Sequence, residues 1–76
     1  MKIRGVLLRW GTNKRGYRWI DVEGLRLDIG KDRWSEAFLD SIVSREVEVL
    51  VQIDWRQSSS GGWFARRKVL AIRPVD

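Results

Sequence analysis

The sequence predicts an all-β domain, a small closed or nearly closed barrel of five strands with one short helix between the third and fourth. Three observations carry this. Apolar and polar residues alternate along residues 25–29 and again along 45–55. Turn-forming stretches rich in glycine and small polar residues separate the alternating segments. Only residues 34–43 space their apolar side chains as a helix does.

Residues 2–10 form the first strand, with Val6, Leu7 and Leu8 bordered by Lys2, Arg4 and Arg9. Gly5 within it marks a bend, a bulge or a close backbone approach. Residues 11–16 turn the chain, and residues 17–22 fold back as the second strand of a hairpin. Tyr17 and Trp19 then share one face and Ile20 and Val22 the other. Burying the β-branched pair and leaving the amphipathic aromatics outside is the favoured orientation, with Arg18 at the barrel end. An aromatic core is the alternative. Glu23-Gly24 punctuates, and Leu25, Leu27 and Ile29 alternate with Arg26 and Asp28 as a half-buried third strand.

After the turn at 30–33, Ser35 is the expected N-cap of a helix over 34–43, whose stripe is Phe38, Leu39, Ile42 and Val43. Trp34, Phe38 and Ile42 are expected to plug one end of the barrel. Residues 45–55 place Val47, Val49, Val51 and Ile53 on one face of the fourth strand. Residues 56–62 read as a polar, flexible loop. Trp55 and Trp63 flank it, placed either to staple the hairpin or to close over a ligand. Residues 63–73 are the last strand, and Pro74 is expected to end its pairing. Five short strands with one intervening helix favour an OB-type barrel, with an SH3-like barrel as the second choice. All 76 residues form one domain.

Composition narrows the function. The chain has no cysteine and no histidine, which removes disulfides, thiolate metal sites and the commonest general base. No carboxylate pair is spaced for acid–base work or a calcium loop, and no phosphate-cradling glycine loop occurs. No catalytic residue, metal or cofactor is expected. No apolar run is long enough to span a bilayer, and the first nine residues do not make a signal peptide, so a cytoplasmic protein with no membrane partner is expected.

The net charge is +5, and it is unevenly spread. Residues 1–33 carry nine cations and four anions, residues 34–55 one cation and five anions, and residues 56–76 five cations and one anion. Folding the first hairpin beside the last strand would gather a positive face suited to phosphates. The sequence also has five tryptophans. A domain this small cannot easily bury five indoles, so two or three are expected to be at least partly exposed, at a binding or oligomer surface.

Trp10 is followed after six residues by Gly16, then Tyr17, Trp19 and Ile20, with Lys14 and Arg15 in the intervening turn. This hairpin resembles the cold-shock domain, a small OB-fold whose first strand ends in tryptophan and is followed by a basic turn and a Gly-aromatic-x-aromatic-Ile motif. Residues 45–53 and 65–72 are similar in placement to that family's fourth and last strands. The resemblance implies single-stranded DNA or RNA bound across the first three strands. It makes Trp10, Tyr17 and Trp19 stacking residues and Lys14 and Arg15 phosphate contacts. The family's second motif places aromatics and a histidine on the third strand, where this chain presents Arg26 and Asp28. The space between Gly5 and Trp10 is one residue longer than the family's, which requires a bulge or a different register.

The expected function is therefore binding of single-stranded DNA or RNA with low sequence specificity. Stacking is expected on Trp10, Tyr17, Trp19 and Trp63. Phosphate contacts are expected from Lys2, Lys14, Arg15, Arg18, Arg66 and Lys68, with Arg26 on the same surface. The alternative is a protein-interaction module whose exposed tryptophans dock a partner or form a homodimer.

Overall fold

In the computed structural model, which describes residues 1–75, the alternating stretches become β1 (Lys2–Thr12), β2 (Arg18–Val22), β3 (Leu25–Gly30), β4 (Glu46–Gln57) and β5 (Trp63–Pro74). One helix, α1 (Glu36–Ile42), lies between β3 and β4. The strands form a single antiparallel sheet in the order β3-β2-β1-β4-β5. No helix among the described residues is long and apolar enough to cross a membrane.

The inward face of the sheet is the one the alternation marks. Ile20 and Val22 of β2, Leu27 and Ile29 of β3, Val47, Val49 and Val51 of β4, and Val69 and Ile72 of β5 are all buried. Helix α1 adds Leu39 and Ile42. Ser35 caps it as expected, its Oγ accepting from the Phe38 N–H at 3.1 Å. Trp34 and Phe38 pack against this core, and Val43 with them.

Three bulges shape the sheet. In β1, Leu7 pairs with Val22 and Arg9 with Asp21, so Leu8 is an extra residue. In β3 the extra residue is Ile29, and in β5 it is Leu70. The β1 bulge turns Leu8 outward at 51 % exposure while Leu7 is fully buried. It also puts Leu7 and Trp10, three residues apart, on the same side of the sheet. Gly5 itself is regular in the ladder, opposite Val47. A Cβ there would meet the Glu23 carboxylate at 2.8 Å, so its role is close approach and not a bend.

Several sequence expectations are corrected at the strand ends. The first hairpin is longer on one side, because β1 runs to Thr12. Its turn is closed by Asn13, whose Oδ1 accepts from the N–H groups of Arg15 (2.9 Å) and Tyr17 (3.0 Å). β4 continues to Gln57, and the expected loop shrinks to a turn at 58–62. There the Ser58 N–H donates to the Gly62 carbonyl (2.7 Å) and the Gly62 N–H to Ser58 Oγ (3.1 Å). Pro74 does not end the pairing. It lies opposite Val47, and the Val75 N–H still donates to the Glu46 carbonyl at 2.9 Å. β5 is an edge strand, where a missing N–H can face away from the ladder.

The bulge is open to a direct test. Leu7→Ala should lower the unfolding free energy by about 2–5 kcal/mol, and Leu8→Ala should leave it within about 0.5 kcal/mol. Urea melts of the two variants check this; equal losses would contradict the register.

Candidate nucleic-acid interface

The outward face of β1, β2 and β3 is built around Trp19. It lies opposite Gly11 on β1 and Asp28 on β3. Gly11 is where it is because the indole rests on it: a Cβ there would fall 2.5 Å from Trp19 Cζ2. The Arg26 guanidinium covers the ring at 4.0 Å from its centroid, and Arg9 approaches to 6.0 Å. Arg9 is tethered in turn by Asp21, at 3.5 Å, whose other oxygen accepts from the Gly24 N–H at 2.7 Å. Trp19 is thus half-buried and stacked with arginine, not an open platform.

Two expected contact residues are structural. Trp10 lies opposite Ile20, the residue whose side chain is in the core, so it points away from Tyr17 and Trp19. It packs against the core and donates its indole N–H to Asp40 of α1 at 2.9 Å. The stacking role that the cold-shock resemblance implied for Trp10 is therefore not available to it: pairing with Ile20 turns it inward. Arg18 is half-buried, and its guanidinium donates to the carbonyl of Trp34. Both fasten the helix and its leading turn to the first hairpin.

The positive charge gathers elsewhere, along the seam between the two edge strands. β3 and β5 face each other across a groove of about 970 Å³. Arg15, Arg26 and Arg33 line one side of it, and Arg56, Arg66, Arg67 and Lys68 come from the β4–β5 hairpin. Only Asp28 and Asp54 oppose these seven cations, and Tyr17 and Phe64 supply aromatic surface. Arg33 crosses the seam at one end, donating to the backbone carbonyls of Val69 and Leu70 (2.9 Å to the latter). Lys31 holds the face of Tyr17, its Nζ 4.9 Å from the ring centroid.

No family model, no curated protein and no solved structure matches this chain.

The groove brings together five of the residues expected from sequence: Arg15, Tyr17, Arg26, Arg66 and Lys68. Lys14 is exposed in the first hairpin turn, beside the groove and not in its lining. Lys2 lies on the far side of the sheet from this seam in pairing order, 3.8 Å from Glu48. Trp63 lies opposite Gln57 and Trp55 opposite Ala65, so the two tryptophans do not form a directly paired staple. Both are two-thirds exposed. Arg33, Arg56, Phe64 and Arg67 are additions that sequence reasoning did not assign to the site. Phe64 and Arg56 are cross-strand partners, and that pairing could have been read by counting back from the turn at 58–62.

Electrostatically the cations are sorted. Arg4 pairs with Glu46 at 2.9 Å, and Lys2 and Arg73 both approach Glu48. Two carboxylates of the acidic middle, Glu46 and Glu48, are thereby matched by cations from the two basic ends. Among the described residues Arg15, Arg56, Arg66, Arg67 and Lys68 make no ion pair. The groove therefore keeps its positive potential.

Gly11→Ala tests the Trp19 arrangement. The ring is held between β1 and Arg26, so it must move, with a loss of about 1–3 kcal/mol and a shifted tryptophan emission. An unchanged melt and spectrum would contradict the close approach.

Proposed function

We propose that the chain is a small OB-type barrel that binds single-stranded DNA or RNA with low sequence specificity, the strand lying in the groove between β3 and β5. The observation that carries the reading is the collection of seven cations against two carboxylates along one seam, with Tyr17 and Phe64 beside them. Phosphates need unpaired cations: none of the seven makes an ion pair among the described residues, and only Arg26 and Arg33 are engaged at all, by aromatic rings and backbone carbonyls. Bases need exposed ring surface, which Tyr17 and Phe64 offer at about 1–3 kcal/mol per stacked base. The OB-type reading is supported by the single five-stranded sheet, whose edge strands β3 and β5 both line the groove, and by the helix between β3 and β4. The likeness of the first hairpin to the cold-shock domain supports the same function, with the binding surface moved from Trp10 toward β5.

Affinity for a mixed-sequence oligonucleotide should fall steeply with salt. If the five cations not so engaged each meet one phosphate, log K against log salt has a slope of roughly −3 to −4. The double variant Arg66→Gln/Lys68→Gln should flatten that slope by roughly 1.4 while the fold is kept. Fluorescence anisotropy at several salt concentrations measures both. Binding that is absent at low salt, or a slope the variant does not change, would sink this reading.

A further inference from the structure

The hairpin of β4 and β5 extends the inward face of the sheet past the body of the domain. Along β4 the inward row runs Val47, Val49, Val51, Ile53, Trp55, all on one side. The first three are fully buried; Ile53 is 39 % exposed and Trp55 67 %. On β5, Trp63 shares that side, diagonal to Trp55, and is 66 % exposed. Arg67, opposite Ile53, and Ala65, opposite Trp55, complete the face with Gln57. It carries no carboxylate.

We infer that Trp55 and Trp63 form a slot for one nucleobase, continuous with the groove; the inference rests on the single-strand reading above. Diagonal cross-strand residues have their roots roughly 7–8 Å apart. An aromatic ring in contact with a neighbour on each face needs about 3.5 Å per side, which that spacing provides. Both residues are two-thirds exposed, so neither is buried against the other. Ala65, two residues from Trp63 on the same face and opposite Trp55, adds little bulk beside them. The face is uncharged apart from Arg67, which also lines the groove and can hold the phosphate of the inserted nucleotide. A second copy of the chain fits less well. A stable interface buries about 800 Å² per partner. Two indoles of about 200 Å² each, two-thirds open, and part of one isoleucine supply roughly half of that.

The test compares two probes of equal length, a mixed-sequence oligonucleotide and a base-free phosphodiester ladder, on the wild type and on Trp55→Leu and Trp63→Leu. Both positions are exposed, so thermal melts should not change. The slot predicts that each substitution weakens oligonucleotide binding roughly tenfold and leaves ladder binding as it was. Trp55→Tyr, which keeps a ring, should restore most of the loss. Equal binding of the oligonucleotide by all variants, or equal losses on both probes, overturns the slot and leaves the groove reading standing. A wild type that binds neither probe overturns both. Sedimentation that finds a dimer abolished by Trp63→Leu assigns the face to self-association and overturns the slot.

Discussion

The Arg33 guanidinium, bonded to the carbonyls of Val69 and Leu70, is the tie on which the rest of the structure depends. The sheet order leaves β3 and β5 as edges, and a backbone ladder between them would have sealed the seam along its length. Beside the shared core, Arg33 bridges the seam with hydrogen bonds from the turn after β3, at the bulge in β5 where Leu70 is the extra residue. The same arginine lies over the Trp34 ring at 4.4 Å, and Trp34 offers its carbonyl to Arg18. Arg18, Trp34 and Arg33 thus link β2, the approach to α1 and β5 in one series of contacts. Closing the seam at one end and leaving it open at the other is what makes a groove.

Charge follows from that geometry. The β1–β4 and β4–β5 pairings set Lys2, Arg4 and Arg73 beside Glu46 and Glu48, at the end of the sheet far from the groove. Exposed pairs of this kind add little stability. Their consequence is electrostatic: Glu46 and Glu48 are matched locally, and the cations of the outer β4–β5 hairpin share the groove with only Asp28 and Asp54. The two cations that are engaged near the groove, Arg26 on Trp19 and Arg33 on β5, are held by an aromatic ring and by backbone, not by carboxylates.

Most of the fold was legible because period and punctuation agreed. The Val47-Val49-Val51 row, the Leu25-Leu27-Ile29 row, the Ser35 cap and the burial of Ile20 and Val22 all follow from alternation or capping chemistry. What was hidden is what alternation does not encode. The resemblance of the first hairpin implied three stacking aromatics, but pairing with Ile20 sets Trp10 against the helix, and Trp19 lies under Arg26. The length of the β4–β5 hairpin depended on a five-residue turn held by Ser58, which a serine- and glycine-rich stretch does not distinguish from a loose loop. The groove joins residues up to fifty-odd positions apart, Arg15 and Arg66 among them, and only the sheet order brings those together. Arg66 and Lys68 were foreseeable as same-face cations; Arg33 and Arg67 were not.

The central claim is that the open seam, and not the outward surface of the first hairpin or the opposite end of the sheet, meets the ligand. The most direct measurement is a titration of the isotopically labelled chain with a short mixed-sequence oligonucleotide at low salt, followed by backbone amide chemical shifts. The account predicts perturbations at residues 15–17, 26–33, 54–57 and 63–69, on both walls of the groove. Perturbations confined to residues 2–4, 46–50 and 71–73, or none at saturating oligonucleotide, would contradict it.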